Sequence, residues 1–361
     1  MKTKLVYVLT CAPEANYIEQ ALMSVWSARH WNLDAHIVLI TDNLTDQLFV
    51  GKRAEILDYI SEKIVVPFED DSLSMMYRSR WIKTSVRKLI SGDFLFIDCD
   101  TIVCRSLAEI DTLDCEVGAV YESHLSIKDW DDGLLLVSND RCLQLGLDLN
   151  KEPAYFSSGV LLVKDTLRSY EMYDLWHQYW LESVRKGSGI DQPALAKANQ
   201  VIGYLIQQIP DTYNCILFTR CQFYRSAYIL HITVFENPSW LFNSQCLAYV
   251  RRYGLSRWTK KSISHPFTTF FPFDWNLLHA TFLQRLYWIL EVSIGLRRYG
   301  RYVDSNYQDI IITTQRKQIV QKLLRFRLTV CAMLLWLYYN YKRVKNSKTI
   351  LCDNRYKKQK D

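Results

Sequence analysis

Phe94-Leu95-Phe96-Ile97-Asp98-Cys99-Asp100-Thr101-Ile102-Val103 is an apolar run that meets two carboxylates one residue apart and then turns apolar again. In a strand, residues i and i+2 point to the same side, so Asp98 and Asp100 are expected to converge at a strand end. Two ionised carboxylates that close repel each other unless a cation lies between them. A hard divalent ion, which prefers oxygen ligands and often carries a bound phosphate, is the natural partner. The pattern by itself is common, since a chain this long carries about one Asp-x-Asp by chance. Asp129-Trp130-Asp131 is such a copy, and its polar surroundings from Lys128 to Gly133 predict a solvated loop. What sets Asp98 and Asp100 apart is the strand before them, because open α/β sheets bind ligands beyond the carboxyl ends of their strands.

The 361 residues can bury a large core, and 49% of them are apolar, with 23 Tyr and 11 Trp. That composition, without repeats or low-complexity runs, argues against disorder and against solenoids. Ten cysteines are scattered without a Cys-x-x-Cys pair, and Met1-Lys2-Thr3-Lys4 leads directly into a strand-like run. Together these predict reduced thiols in a cytoplasmic protein. The net charge of +6 is unevenly placed: residues 314–361 hold 13 Lys/Arg against 2 Asp/Glu, leaving 31 against 36 elsewhere. Such a basic segment seeks a polyanionic surface.

Leu5 to Thr10 reads as a first buried strand, and Ile18, Ala21, Leu22, Val25 and Trp26 recur at helical spacing. His36 to Thr41 and Ile64 to Pro67 read as further strands. A helix from Met76 to Ile90, carrying Arg78, Arg80, Lys83 and Arg87, leads into the Asp98 strand. Alternating strands and helices predict a parallel α/β sheet. Neither Gly-x-x-x-x-Gly-Lys-Ser/Thr nor Gly-x-Gly-x-x-Gly occurs, so any bound phosphate must be held by metal and basic side chains. Further on, Val117 to Glu122 is a strand ending in a carboxylate, and Tyr155 to Val163 opens with Ser157-Ser158-Gly159. Thr166 to Val184 is helical, its aromatic stripe a core face. Asp191-Gln192-Pro193 sits at a helix start, where capping and catalysis are both open readings. His231 ends the apolar run Ile229-Leu230, a place where a lone histidine is usually structural.

In order and spacing, these segments resemble the GT-A glycosyltransferases, specifically glycosyltransferase family 8 and related bacterial enzymes, over residues 4 to 240. The resemblance implies a Rossmann-like mixed, mostly parallel sheet flanked by helices. It also implies an enzyme of the hexosyltransferase type that uses a nucleotide-sugar donor, with UDP the expected nucleotide, and retention of configuration. Asp98, Asp100 and His231 would bind Mn²⁺ or Mg²⁺, with the histidine favouring Mn²⁺. Glu122, Ser157, Asp191 and Gln192 would surround the donor sugar, Gln192 near the anomeric carbon. Arg80 and Lys83 would approach the donor from the basic helix, and Thr10 from the end of the first strand. The chain departs from the pattern in three places. Thr10-Cys11-Ala12-Pro13 has no acidic residue, Ser157 replaces the usual Asn, and Asn237 stands where a phosphate-contacting lysine is usual. A neutral amide cannot offset diphosphate charge, so either another cation serves or donor affinity is reduced.

Three regions are expected: a catalytic domain over 1–250, an aromatic-rich helical extension over 251–313, and a basic segment over 314–361. The uncharged stretch from Leu328 to Tyr341 is 14 residues, shorter than the roughly 17–25 a membrane span needs. Its flanking Arg325, Arg327, Lys342 and Arg343 and its aromatic content suit a helix lying on an anionic membrane surface. That placement would bring the site to a lipid-linked, lipopolysaccharide or polysaccharide acceptor on the cytoplasmic face. Nucleic acid is not expected, because the aromatics cluster with aliphatics instead of interleaving with the basic residues. Two rival readings are a sugar-phosphate nucleotidyltransferase and a non-catalytic glycan-binding or scaffolding protein that keeps the same fold.

Overall fold

The computed structural model describes residues 1–130, 132–216, 226–232, 242 and 244–264. Its first half alternates strands and helices. β1 (Lys4–Leu9) is followed by α1 (Tyr17–Trp31), β2 (Ile37–Asp42), a short α2 (Asn43–Asp46), β3 (Glu62–Val66), α3 (Met75–Leu89) and β4 (Phe94–Ile97). Then come β5 (Thr101–Val103), β6 (Val117–Tyr121), α4 (Asp132–Leu143), β7 (Phe156–Val163), α5 (Leu167–Arg185) and α6 (Gln192–Val201). Last are β8 (Ile206–Gln208), β9 (Cys215–Ile216), β10 (Ile229–His231), α7 (Ser244–Tyr253) and α8 (Arg257–Ser264).

Local chemistry sets the helix starts. The Ser74 hydroxyl accepts the Tyr77 N–H at 3.1 Å to open α3, and Thr166 with Ser169 forms a reciprocal capping box on α5. The central strands are covered on both faces, and every residue of β2, β4 and β7 is buried. Val6, Val8, Val38, Ile40, Phe94 and Phe96 present one face of the sheet to Ile82 and Val86 of α3 and to Tyr173, Trp176 and Trp180 of α5. Leu5, Tyr7 and Leu9 point the other way and are equally buried.

The main sheet has the order β3-β2-β1-β4-β7-β6-β8, and a small second sheet the order β5-β10-β9. The main sheet is mostly parallel, as the resemblance implies, and β1 to β4, the strands whose alternation with helices predicts parallel pairing, pair in parallel. β7 runs antiparallel to both β4 and β6, with Ile97 opposite Val160 and Val117 opposite Val163. A strand buried on both faces reads as a continuous apolar run whatever its direction, so the reversal has no local signature.

Cys11, Cys99, Cys104, Cys115 and Cys142 are free thiols. No helix among the described residues is long and apolar enough to cross a membrane. The expected Asn237 departure, most of the 251–313 extension and all of 314–361 lie outside the described residues.

Candidate functional site

The chain builds β1, β2 and β3 outward on one side, then returns to place β4 against the other edge of β1. The carboxyl ends of β1 and β4 therefore flank a topological switch point, the place where open α/β sheets leave a crevice for ligands. Asp98, Cys99 and Asp100 lie there. They are not on a strand, however: β4 ends at Ile97, and the three residues form the turn into β5. The Asp98 N–H donates to the Gly159 carbonyl (2.8 Å), and the Thr101 hydroxyl donates to the Asp98 carbonyl (2.8 Å). The two carboxylates converge because this turn is closed, and strand alternation is not the cause.

His231 reaches the same point through the second sheet. β10 pairs antiparallel with β5, setting His231 opposite Thr101, and the Ile232 N–H donates to the Asp100 carbonyl at 2.8 Å. Ligand atoms of Asp98, Asp100 and His231 all lie within 4.8 Å of one another. His231 Nε2 is 3.2 Å from Asp100 Oδ1, and its Nδ1 is 2.9 Å from Asn214 Oδ1. Gly159 makes room for this arrangement: a Cβ there would crowd the His231 ring, 2.9 Å from Nδ1, and stand 3.1 Å from Asp98 Oδ2. Burial, reinforced by Asp100, pushes the Asp98 carboxyl up, although Lys83 opposes the shift. Burial acts on Asp100 in the same sense, but His231 outweighs it and holds Asp100 below the usual carboxylate range. Burial works against a charged His231, yet the Asp100 carboxylate raises its pKa. Two carboxylates and an imidazole are hard and borderline donors, and the set fits Mn²⁺ or Mg²⁺.

Beside this cluster α3 brings two cations. Lys83 is 2% exposed; its Nζ lies 3.3 and 3.4 Å from the Asp98 oxygens, 3.3 Å from Asp191 Oδ2 and 3.2 Å from the Ser158 hydroxyl. One turn earlier, Arg80 Nε lies 2.9 Å from Asp191 Oδ1, with a third of its side chain exposed. Asp191 precedes α6, yet its side chain makes no capping hydrogen bond. It turns to Arg80, Lys83 and the Ser158 hydroxyl (3.0 Å), which settles the capping reading against it. Burial alone would raise its pKa, but Lys83 and Arg80 prevail and hold it at about 2. The buried Trp176 indole donates to the Asp191 carbonyl at 2.9 Å and fixes the backbone there.

The next residue, Gln192, points toward β6. Its Nε2 donates to Glu122 Oε2 (2.7 Å) and to the Phe156 carbonyl (2.9 Å). Glu122 is followed by Ser123 and His124, both with positive φ (56° and 54°), a costly pair for residues with a Cβ. His124 holds this turn through Nδ1 to Asp211 Oδ1 (2.8 Å) and by accepting the Ile216 N–H at Nε2 (3.0 Å).

Among the expected site residues, Asp98, Asp100, His231, Lys83, Arg80 and Asp191 form one connected group, and Gln192 with Glu122 adjoins it. Ser157 is buried and directs its hydroxyl to Asn214 Nδ2 (3.3 Å). Thr10, at the end of β1, donates to the Met75 carbonyl at 3.1 Å. The other Asp-x-Asp is set apart, since Asp129 is exposed and Trp130 packs edge-on against Tyr155; Asp131 lies outside the described residues. Sequence reasoning did not single out Ser158, Gly159 or Asn214. The first two stood within a small-residue run that marked them, whereas Asn214 carries no local signal at all.

No protein-family model matches this chain, and no curated protein does. Among solved structures it is similar to mouse xyloside xylosyltransferase 1, at 13% identity over 65% of this chain and 98% of that one, with a TM-score of 0.43. It is also similar to the bifunctional glycosyltransferase WbbM (14% identity, 72% of this chain, TM-score 0.48), of which it spans half. A third is the galactosyltransferase LgtC in complex with donor and acceptor sugar analogues, at 15% identity over 76% of this chain and 99% of that one, with a TM-score of 0.44.

Proposed function

We propose that this protein is a metal-dependent glycosyltransferase that moves a sugar from a nucleotide-sugar, a UDP-sugar first among them, to a lipid-linked, lipopolysaccharide or polysaccharide acceptor. The observation that carries the reading is the meeting of Asp98, Asp100 and His231 within 4.8 Å at the switch point of the sheet, with Lys83, Arg80, Asp191 and Gln192 alongside. When bound, Mn²⁺ or Mg²⁺ supplies Lewis-acid neutralisation of a diphosphate leaving group. Asp98, Asp100 and His231 are the residues that hold it. Arg80, a third exposed, would offset phosphate charge in place of the lysine for which the sequence has Asn237. Asp191 is kept ionised by its two cations and orients Arg80 and Lys83. Gln192, whose Nε2 donates to Glu122 and to the Phe156 carbonyl, would use its amide oxygen to stabilise positive charge developing at the anomeric carbon, in keeping with retention.

Incubating the full chain with a panel of nucleotide-sugars and Mn²⁺ tests this reading. Release of a nucleoside diphosphate from one donor, abolished by EDTA and restored by Mn²⁺, is the expected outcome. Absence of both hydrolysis and nucleoside diphosphate binding across the panel would sink it.

The proposal extends to peripheral attachment at the cytoplasmic face of a membrane, supported by the excess of 13 Lys/Arg over 2 Asp/Glu in residues 314–361. Flotation with anionic liposomes compares the full chain with one ending at Thr313. Equal flotation removes the basic segment from the proposal.

A further inference from the structure

The two nitrogens of His231 face different partners. Nε2 lies on the Asp100 side, and Nδ1 is 2.9 Å from Asn214 Oδ1. Both partners only accept, but the neutral amide oxygen keeps a proton on Nδ1 and leaves Nε2, beside the Asp100 carboxylate, as the nitrogen that a metal would take. A histidine that ligates a metal must offer its other nitrogen bare, and the partner of the first nitrogen decides which one that is. Asn214 has 0% exposure, and its Nδ2 donates to the Ser157 hydroxyl at 3.3 Å. The same hydroxyl accepts the Gly159 N–H at 3.4 Å. If the amide were reversed, it would present a donor to Nδ1 and drive the ring proton to Nε2, where it would block ligation.

The backbone around Asn214 is held on both sides. Asp211, at the start of the 3₁₀ turn Asp211–Asn214, accepts from His124, and Ile216, two residues past Asn214, donates to the same imidazole. β9 in turn pairs in parallel with β10, setting Cys215 opposite Leu230 and Ile216 opposite His231. Asn214 thus approaches His231 on a fixed frame, the condition for precise orientation of a ligand.

We propose that Asn214 is a positioning residue that fixes His231 as its Nδ1–H tautomer, and that Ser157 acts through Asn214 by holding its side chain in place. The proposal deepens the reading of Asp98, Asp100 and His231 as a divalent-metal centre and rests on it. It also gives Ser157 a role different from the direct donor contact that the resemblance implied.

The test is Mn²⁺ titration of the full chain by calorimetry, with circular dichroism and melting curves to establish folding. Asn214→Leu keeps the shape and removes the acceptor, and it is expected to weaken Mn²⁺ binding by about 10- to 100-fold, the usual cost of losing such a partner. Asn214→Asp keeps an acceptor facing Nδ1 and is expected to retain Mn²⁺ binding, while Ser157→Ala falls between the two. Folded Asn214→Leu that binds Mn²⁺ as tightly as the wild type overturns the proposal. Wild-type chain that binds no Mn²⁺ overturns the metal centre itself and the proposal with it. Should Asn214→Leu not fold, ¹⁵N-histidine spectra of the wild-type chain loaded with Mg²⁺ decide: a proton on Nδ1 of His231 supports the assignment, and one on Nε2 overturns it.

Discussion

Replacing Gly159 by alanine perturbs the centre without replacing a charged residue. The new methyl carbon would stand 2.9 Å from His231 Nδ1 and 3.1 Å from Asp98 Oδ2, whereas comfortable non-bonded separations are about 3.5–4.0 Å. The ring carbon Cε1 would be nearer still, so the imidazole must retreat by more than about 1 Å, in a site where its partner Asn214 is itself fully buried. Overpacking of this kind costs about 1–3 kcal/mol. Misplacing a catalytic group by about 1 Å costs on the order of 100-fold in rate. Gly118→Ala is the control: its Cβ would meet Ile209 Cγ2 at 2.5 Å and Cys115 Sγ at 2.9 Å, a clash of similar depth that involves no site residue. Both variants are expected to melt a few degrees below wild type. Only Gly159→Ala should lose Mn²⁺ affinity and metal-dependent turnover, the latter by about 100-fold. Calorimetric Mn²⁺ titration and donor hydrolysis, run on both proteins, make the comparison. If Gly159→Ala binds Mn²⁺ and turns over as Gly118→Ala does, the close-packed geometry of His231 is not what the site depends on.

Other perturbations follow from the same geometry. Asp98→Asn and Asp100→Asn each remove one anionic ligand; metal-dependent hydrolysis should fall to background in both, and activity that persists in EDTA would count against the metal reading. Asp191→Asn leaves Lys83 and Arg80 without their shared carboxylate and should cost about 3–5 kcal/mol at neutral pH in urea titrations, as breaking a buried pair does. The pH dependence has a definite sign. The folded-state pKa of Asp191, about 2, is depressed, so its contribution is present above the unfolded value of about 4 and is lost as pH falls through about 2. The stability gap between wild type and Asp191→Asn should shrink by about 2 kcal/mol between pH 5 and pH 2, and a gap that stays constant over that range would refute the assignment. Glu19 is 1% exposed and pairs with both Arg53 (2.7 Å) and Arg251 (3.1 Å). Glu19→Ala should cost about 3–5 kcal/mol and speed hydrogen exchange in α7, and unchanged exchange there would show that the pair does not anchor this helix.

The elements were legible where the chain speaks locally. Strands β1, β2, β4 and β7 and helices α3 and α5 lie within a residue or two of the positions that apolar runs and helical periodicity predict, and α1 runs past its predicted face to Trp31, because burial of a face imposes a period on the residues that form it. The Asp98-Cys99-Asp100 site was marked for the same reason, as carboxylates that break an apolar run. The direction of β7 was not legible, since a doubly buried strand looks alike either way round. Nor was the capping question at Asp191, because Asp, Gln and Pro at a helix start are compatible with a cap whether or not the side chain turns back to make one.

By itself, then, the sequence determined which segments pair into a sheet of alternating strands and helices, and which carboxylates stand at the end of its fourth strand. Tertiary structure alone decided what those carboxylates face. His231 arrives from 131 residues further along the chain by the pairing of β10 with β5, and Lys83 meets both Asp98 and Asp191 only because α3 crosses back over the sheet. Asn214 takes its place on the far side of the His231 ring through a turn pinned by His124. The physical reason is one of range: hydrophobic period and chain geometry act over a few residues, whereas a site of converging polar groups is built from long-range backbone pairing that leaves no periodic trace.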